Sequence, residues 1–239
     1  MPDGLHLEGV WPAPVTIRKG WAKASARPWN DDVPDATVRL ERGSSEFLHA
    51  VAGYLAPLGS GSVYSPALYP SAARVWARAG FDRFSRLVVM EGVLEGGSPV
   101  PEHSIQSSDD ADWSEVVRVD RLAFDGFWRM SQAGLLEAMR TTPRSVVLHA
   151  RFDRHLAGYA LVGSQMSLSF LQRVAVDPDF SGRGVGTSLV RAAKIWARRS
   201  GARIMVLNLR PGNEKARHLY EREGFKASDT GLQLLRFEV

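Results

Sequence analysis

Three glycines at alternate positions are the feature of this sequence best suited to chemistry. The stretch VAVDPDFSGRGVGTSL, residues 174–189, places Gly182, Gly184 and Gly186 between an apolar run and an amphipathic segment. Glycine permits turns in which successive backbone N–H groups point into one concavity, and a helix N-terminus adds free N–H groups and positive charge. We expect the amides of residues 183–187 to converge on phosphate, with a tight turn that binds nothing as the alternative.

The sequence does not match the patterns of two better known glycine-rich loops. A P-loop requires Lys followed by Ser or Thr after its last glycine, but Gly186 is followed by Thr187 and Ser188. The dinucleotide-binding fingerprint has two residues between its second and third glycines, whereas one residue separates Gly184 from Gly186. Hydrolysis of nucleoside triphosphates and dinucleotide binding are therefore disfavoured.

The elements that must position this loop follow from the periodicity of the chain. A Gly-, Pro- and Ser-rich stretch, Leu94 to Asp110, indicates a boundary between domains 1–98 and 99–239. After it we expect the order β, α, α, β, β, β, α, β, α, β, β, an α+β fold whose mixed, mostly antiparallel sheet is flanked by helices. After the first strand, these elements cover residues 109–128, 127–140, 145–152, 155–164, 167–176, 182–201, 203–210, 213–224, 225–231 and 232–239.

The composition narrows the class of protein. The 239 residues are 44% hydrophobic and 23% charged, as in an ordinary globular protein. The absence of cysteine excludes disulfides, thiolate nucleophiles and Cys-ligated metals, and no other metal-ligand spacing occurs. A net charge of +4 suits an anionic ligand, but the basic residues are scattered, so we do not expect nucleic-acid binding. No membrane-spanning run or secretory signal is present, which predicts a cytoplasmic protein; the oligomeric state is unknown.

The glycine loop and a downstream stretch, NEKARHLYEREGF, together resemble the GCN5-related N-acetyltransferase (GNAT) family. The family pattern is an apolar strand, Q/R-x-x-G-x-G/A, a helix, a strand and N-x-x-A-x-x-LY-x-x-x-GF. The resemblance covers residues 102–239 in element order, and one position departs from it, because Ser181 stands where the family has Gln or Arg. Arg183 could compensate. The matching residues are Gly184, Gly186, Asn213, Ala216, Leu219, Tyr220, Gly224 and Phe225.

The resemblance implies an acyl-CoA N-acyltransferase fold that binds acetyl-CoA without a metal. Pantetheine would pair with the backbone of residues 174–176, where a β-bulge would splay this strand from residues 203–210. The diphosphate would meet the glycine loop. Arg191, Lys194 and Arg198 would reach the adenosine phosphate or form a solvated helix face. The implied cofactor-binding residues are Val174, Ala175, Val176, Ser181, Gly182, Arg183, Gly184, Val185, Gly186, Thr187, Asn213, Ala216 and Tyr220.

Tyr220 is the implied catalytic residue. With an ordinary pKa near 10 it stays protonated at pH 7, so it could act as general acid towards the coenzyme A thiolate; packing against the sheet is the alternative role. Asn213 would hold a pantetheine amide or cap its helix. Members of the family often carry a Glu base before the glycines, but Gln172 and Arg173 stand there. His149, or water relayed through backbone carbonyls, remains as the base.

The acceptor pocket should lie at the junction of the first two helices after the boundary. Phe124, Phe127 and Trp128, with His149, are the candidate substrate-binding residues, although the aromatic side chains would also suit a core. We expect an N-acetyltransferase acting on a small-molecule primary amine. The alternatives are a protein acceptor, at an N-terminus or a lysine, and a non-catalytic acyl-CoA-binding regulatory module.

Residues 44–93 repeat the second half of the family pattern in weaker form. When Gly80-Phe81 is aligned with Gly224-Phe225, Trp76 falls at the position of Tyr220, and an indole cannot act as the acid. The segment before the first helix has one glycine, Gly43, so the phosphate loop is missing. We interpret this half as a partial, inactive GNAT-like repeat, similar to tandem members of the family that include mycothiol synthase.

Overall fold

A computed structural model describes residues 4–108 and 111–239, which contain six α-helices and thirteen strands. The helices are α1 Ser45–Leu55, α2 Pro70–Arg78, α3 Trp113–Ala123, α4 Gln132–Arg140, α5 Val185–Arg199 and α6 Glu214–Arg222. The strands are β1 His6–Glu8, β2 Val15–Lys19, β3 Ala22–Pro28, β4 Ala36–Arg42, β5 Ser62–Tyr64, β6 Asp82–Val93, β7 Ile105–Ser108, β8 Arg144–Phe152, β9 His155–Gln165, β10 Leu168–Val176, β11 Ile204–Leu209, β12 Lys226–Ala227 and β13 Leu232–Glu238.

The chain folds as two compact units. One contains the residues up to Leu87 together with Thr230–Val239, and the other contains Val88–Asp229. The predicted boundary between residues 98 and 99 therefore differs from this division, which falls inside β6. The assignment of separate roles to residues 1–98 and 99–239 stays a prediction.

The first unit has a sheet in the order β1-β2-β3-β4-β5-β13-β6, and β4 and β5 are its parallel pair. Alternating small apolar residues on β2 and β3 point into a core closed by α1 and α2. The N-terminus of α1 is capped by Ser44, whose Oγ accepts from the amide of Phe47 at 3.3 Å. A Cβ on Gly43 would lie 2.6 Å from the Phe47 ring, so the side chain of Phe47 fills the space next to Gly43.

The ends of α2 and α6 are built alike. In the first unit Phe81 packs edge-to-face on Trp76, with ring centroids 4.9 Å apart. In the second unit Phe225 packs in the same way on Tyr220, at 5.8 Å. Both phenylalanines follow a glycine with positive φ, as expected where a helix ends in the left-handed conformation.

The second unit has a sheet in the order β6-β11-β10-β9-β8-β7, with β12 also paired to β6. The pair β10 and β11 is parallel and the others are antiparallel. One face packs on α5 through residues such as Leu189 and Ala193, and the other face packs on α3 through Val116 and Val119. The predicted element order after the boundary is confirmed.

The strands β10 and β11 separate along their length. They pair from Leu168 to Leu171, opposite Ile204 to Leu207, and no further. The register of β10 against β9 shifts between Leu171 and Arg173, so a bulge lies at Gln172. A bulge bends and twists its strand, which leaves residues 174–176 paired with β9 on one side and open on the other. The predicted separation of β10 from β11 at residues 174–176 is found, but the bulge lies at Gln172, just before the segment where it was predicted.

Two predicted elements need correction. The helix expected from Phe127 to Arg140 begins at Gln132, because the hydroxyl of Ser131 caps it by accepting from the amide of Gly134; residues 126–128 form a 3-10 turn instead. The interpretation of the N-terminal half as a repeat also predicts a final pair of strands over residues 82–94, but residues 82–93 form the single twelve-residue β6. Gly92, the glycine available for a turn, is extended beneath the Phe225 ring.

The last strand also differs from expectation. Residues 232–239 were expected to complete the sheet of the second domain. Instead β13 lies between β5 and the first part of β6 in the first unit. The second part of β6 pairs with β11 in its place, with Met205 opposite Gly92.

Candidate active site

The glycine loop presents free backbone donors. Gly182 and Gly184 have φ values of 79° and 82°, and Gly184 is the N-cap of α5 without a capping side chain. The amide of Ser188 makes the first helical hydrogen bond, to the carbonyl of Gly184. Within the part of the chain that is described, the amides of residues 182–187 donate to no protein acceptor. This is the arrangement expected of an anion-binding helix N-terminus.

The Gly- and Pro-rich segment before β7 contacts both the start of α5 and the glycine loop. The buried Ser188 Oγ accepts from the amides of Glu102 and His103 at 3.1 and 3.2 Å. His103 Nε2 donates to the carbonyl of Arg183 at 2.6 Å. The segment expected to be a linker therefore fixes the conformation of the loop.

Lys215 is a cation at the loop that sequence reasoning missed. It lies in the first turn of α6, and its Nζ is 2.5 Å from Ser181 Oγ, at the position where the family pattern has Gln or Arg. No carboxylate pairs with it among the described residues. Arg183, the expected substitute, lies with its guanidinium 5.4 Å from the Phe180 ring. The signal in the sequence was a Lys two residues after the helix cap Asn213.

Two of the three basic residues predicted near the adenosine phosphate are engaged within the protein. Arg191 Nε pairs with Glu223 Oε1 at 3.0 Å, and Lys194 Nζ donates to the Glu223 carbonyl at 2.8 Å. Burial lowers the pKa of Lys194, while the charge of Glu223 opposes that shift. These contacts tie α5 to the end of α6. Arg198 lies near Gly97.

The open end of β10 meets the loop and α6. A Cβ placed on Gly186 would lie 3.6 Å from Val176 Cγ2 and 3.9 Å from Leu219 Cδ1. Ala175 points into the α3 side of the core, while Val174 and Val176 are half-buried on the α5 side. The cofactor-binding residues predicted on β10, the loop and α6 are therefore brought together.

Tyr220 is buried on α6 with a free hydroxyl. Burial raises its pKa to about 12, and the charge of Arg173 opposes this shift. Its hydroxyl has no hydrogen-bond partner among the described residues. Asn213 caps α6, because its Oδ1 accepts from the amide of Ala216 at 3.2 Å.

A buried ion pair lies at the bulge of β10. Arg173 donates through Nε and Nη2 to the two oxygens of Asp120, at 2.7 and 2.8 Å, and through Nη2 to the carbonyl of Trp128 at 2.7 Å. Asp120 is fully buried and also accepts from the Tyr159 hydroxyl and the Met130 amide. Sequence reasoning had considered Arg173 only as an unusable base. The missed signal was Asp120, a carboxylate on the apolar face of α3.

The aromatic residues predicted to line the acceptor pocket lie around this ion pair. The Phe124 ring lies 3.4 Å from the Arg173 guanidinium carbon, and Phe127 packs edge-to-face on Trp128 at 5.1 Å. The guanidinium of Arg210, at the end of β11, lies 5.4 Å from the Trp128 ring. The three aromatic side chains are half-buried rather than enclosed in a core.

His149 lies away from the Arg173–Asp120 ion pair and the aromatic residues around it. It is buried on β8, opposite Tyr159, and β9 separates it from β10 by roughly 10 Å. Its Nε2 has no hydrogen-bond partner among the residues that the structure describes. Burial, and then the charge of Arg151, lower its pKa, while Glu115 opposes the shift.

Comparison with known proteins gives the family. The acetyltransferase (GNAT) family model matches residues 113–225. The uncharacterized N-acetyltransferase YhfO of Bacillus subtilis is 31% identical over 102 residues, which are 40% of this chain and 68% of that protein. The chain belongs to the GNAT acetyltransferase family. Members of this family use acetyl-CoA.

Two further similarities extend over both units of this GNAT protein. A mycothiol acetyltransferase of Propionibacterium freudenreichii subsp. shermanii is 27% identical over 237 residues, covering 88% of this chain and 72% of that one. The solved structure of a tandem GNAT protein from the clavulanic acid biosynthesis pathway has a TM-score of 0.62 and 19% identity, covering all of this chain and 84% of its own. The chain therefore has a tandem GNAT-like architecture, with a partial repeat in its N-terminal half.

The described part of this GNAT chain lacks two other features that could carry a function. It contains no helix long and apolar enough to cross a bilayer. It also contains no group of three or more His, Asp or Glu side chains placed to hold a metal ion.

Proposed function

We propose that this protein transfers an acetyl group from acetyl-CoA to the primary amine of a small molecule, with Tyr220 as general acid. The observation that carries the proposal is the set of free amides at residues 182–187, which lies where the open end of β10 meets α6. The similarity to a mycothiol acetyltransferase over 88% of the chain supports a small-molecule acceptor.

The residues at this place fit acetyl-CoA. Free backbone donors and a cation suit a diphosphate, since hydrogen bonds from charged or oriented donors to phosphate oxygens are strong. The amides of residues 183–187 and Lys215 would hold the diphosphate, and the unpaired edge of residues 174–176 would hold the pantetheine amides. Bound acetyl-CoA supplies the acetyl group as an activated thioester.

Tyr220 would supply the proton that the departing thiolate needs. A pKa of about 12 keeps its hydroxyl protonated throughout the physiological range, and the hydroxyl has no protein acceptor among the described residues. Asp120, the carboxylate at the bulge, is held by Arg173, Tyr159 and Met130 and is not free to act as a base. We therefore assign removal of the amine proton to water.

The amide cradle is tested by Gly186→Glu. Gly186 lies in the first turn of α5 without positive φ, and a Cβ there would make only ordinary contacts with Val176 and Leu219. A carboxylate in the first turn of a helix is favourable, so the variant should fold as well as the wild type. Its negative charge would compete for the free amides and repel the diphosphate, so the dissociation constant for acetyl-CoA, measured by calorimetry, should rise tenfold or more, about 1.4 kcal/mol.

Gly53→Glu is the matched control. Gly53 lies within α1, and a Cβ there would have no neighbour within 4 Å. This change should raise stability by about 0.5 kcal/mol, because Glu favours a helix more than Gly does, and it should leave acetyl-CoA binding unchanged. Wild-type affinity in Gly186→Glu would show that the cradle does not bind the cofactor.

The acceptor is tested by thiol release from acetyl-CoA with a panel of small amines and of peptides with free N-termini or lysines. Faster release with small amines supports the proposal, and faster release with peptides would replace its acceptor class. Tight acetyl-CoA binding without release in any reaction would indicate a non-catalytic binding module.

A further inference from the structure

Arg173 is anchored through one edge of its guanidinium. Nε and one hydrogen of Nη2 go to Asp120, and the second hydrogen of Nη2 goes to the carbonyl of Trp128. The Phe124 ring covers one face of the group at 3.4 Å. Because a guanidinium is planar and carries five N–H groups in a fixed fork, these contacts also fix the direction of the two that remain.

The two remaining N–H groups, both on Nη1, are free. Nη1 has no partner among the described residues, and it is not among their enclosed, unsatisfied polar atoms. The side chain as a whole is 13% exposed. Nη1 therefore keeps its contact with solvent while the rest of the group is held rigidly. A donor pair held in this way is preorganised to bind an oxygen atom.

This free edge lies at the acceptor side of the candidate site. Arg173 is the residue after the bulge, directly before the open segment of residues 174–176. Its anchors belong to the junction of α3 and α4, and its charge acts on Tyr220. We propose that Nη1 of Arg173 binds a carbonyl oxygen next to the reacting amine, so that the preferred acceptors are α-amino amides. This inference rests on the proposed function.

The charges favour a neutral carbonyl oxygen over a carboxylate. Asp120 already balances the charge of Arg173, and it is fully buried. The neighbouring Arg210 is likewise paired, with Asp125 at 2.7 Å. A carboxylate on the acceptor would bring a second negative charge close to Asp120, where the low dielectric strengthens repulsion. A carbonyl oxygen accepts the same hydrogen bond without that cost.

The test uses acceptors that differ only in the group beside the amine. Because that group also changes the basicity of the amine, kcat/KM is expressed per concentration of neutral amine. Phenylalanine amide, phenylalanine and phenethylamine share one side chain, and the same three forms of alanine and lysine extend the set to other shapes. With the wild-type enzyme, kcat/KM for the amides should exceed that of the free acids and of the simple amines by about tenfold or more, as a hydrogen bond from a charged donor predicts. Short peptides as further amides show whether a small molecule or a peptide supplies the group.

Arg173→Lys is the informative variant. Lysine keeps a positive charge for Asp120 but has no rigid second edge, so kcat/KM for amides and simple amines should converge, mainly through a higher KM for amides. The dissociation constant for acetyl-CoA should not change. If this variant does not fold, the pair Asp120→Asn with Arg173→Gln removes both buried charges and should give the same convergence.

Arg118→Lys is the control. Arg118 also pairs with a buried carboxylate, Asp177 at 3.0 Å, and donates to the carbonyl of Leu156. This variant should keep the preference for amides. Equal rates for all three forms in the wild type, faster reaction of the free acids, or an unchanged preference in Arg173→Lys would each overturn the inference while the proposed function stands. Absence of thiol release with every amine would overturn both.

Discussion

Tyr220 and Trp76 occupy equivalent places at the ends of α6 and α2, and they differ in one property that matters for proton transfer. Both are buried against a phenylalanine that follows a glycine. The indole of Trp76 has an N–H with almost no acidity, whereas the phenol of Tyr220 can release and regain a proton. Burial raises the pKa of Tyr220 to about 12, so the group that would donate is fully protonated at neutral pH.

Replacement of Tyr220 by Phe should lower kcat by tenfold or more and leave the dissociation constant of acetyl-CoA unchanged. The ring and its packing on Phe225 remain, and only the proton donor is lost. Steady-state kinetics and calorimetry measure the two quantities. Tyr69→Phe, at an exposed position of the first unit, is the control. An unchanged kcat would remove Tyr220 from the mechanism.

At the scale of elements, β6 has two parts with different partners. Its first part pairs with β13, and its second part, residues 88–93, pairs with β11 and β12. Met90 and Leu94 from this region are buried in the core beneath α5. The sheet of the second unit therefore depends on residues that precede the predicted boundary at 98/99.

A fragment of residues 88–229 should consequently be more stable than a fragment of residues 101–229. The shorter fragment exposes the edge of β11 and loses Met90 and Leu94, and each large apolar side chain removed from a core costs about 2 to 5 kcal/mol. Urea denaturation followed by circular dichroism measures the difference. Equal midpoints for the two fragments would show that the second part of β6 adds nothing to this unit.

At the scale of the whole molecule, the buried His149 couples stability to pH. Burial holds its pKa below the ordinary value of about 6.5. Well above pH 6.5 the histidine is neutral in both folded and unfolded chains and has no pH-dependent effect. As the pH falls from 6.5 towards the folded-state pKa, the unfolded chain binds more protons, so the free energy of unfolding decreases.

His149→Leu should remove this acid sensitivity. It deletes the titrating ring and a buried Nε2 that has no partner within the described part of the chain. The melting temperature of the variant should therefore fall less than that of the wild type between pH 7.5 and pH 5.5. His218→Gln, at an exposed position of α6, should behave as the wild type. A constant difference between His149→Leu and the wild type across this range would contradict the argument.

The features that could be predicted from the amino-acid sequence are short-range. The glycines before α5, the cap Asn213, the glycine that ends α6 and the position of Tyr220 all lie within a few residues of what they act on. Turn conformation, capping and periodicity are local properties of the chain, so patterns of letters were sufficient to predict the loop, the element order and the family. The bulge and splay of β10 were predicted through the resemblance, not from the letters alone.

Contacts between distant groups became evident only from the folded chain. Arg173 and Asp120 are 53 positions apart, and Lys215 is 34 positions from Ser181. The alternation of β13 would suit a place in either sheet, because a strand's pattern specifies which face is buried and not which strand lies beside it. Partners of strands and of buried charges are selected by packing across the whole chain, which is why the acceptor side of the site could not be derived from local sequence.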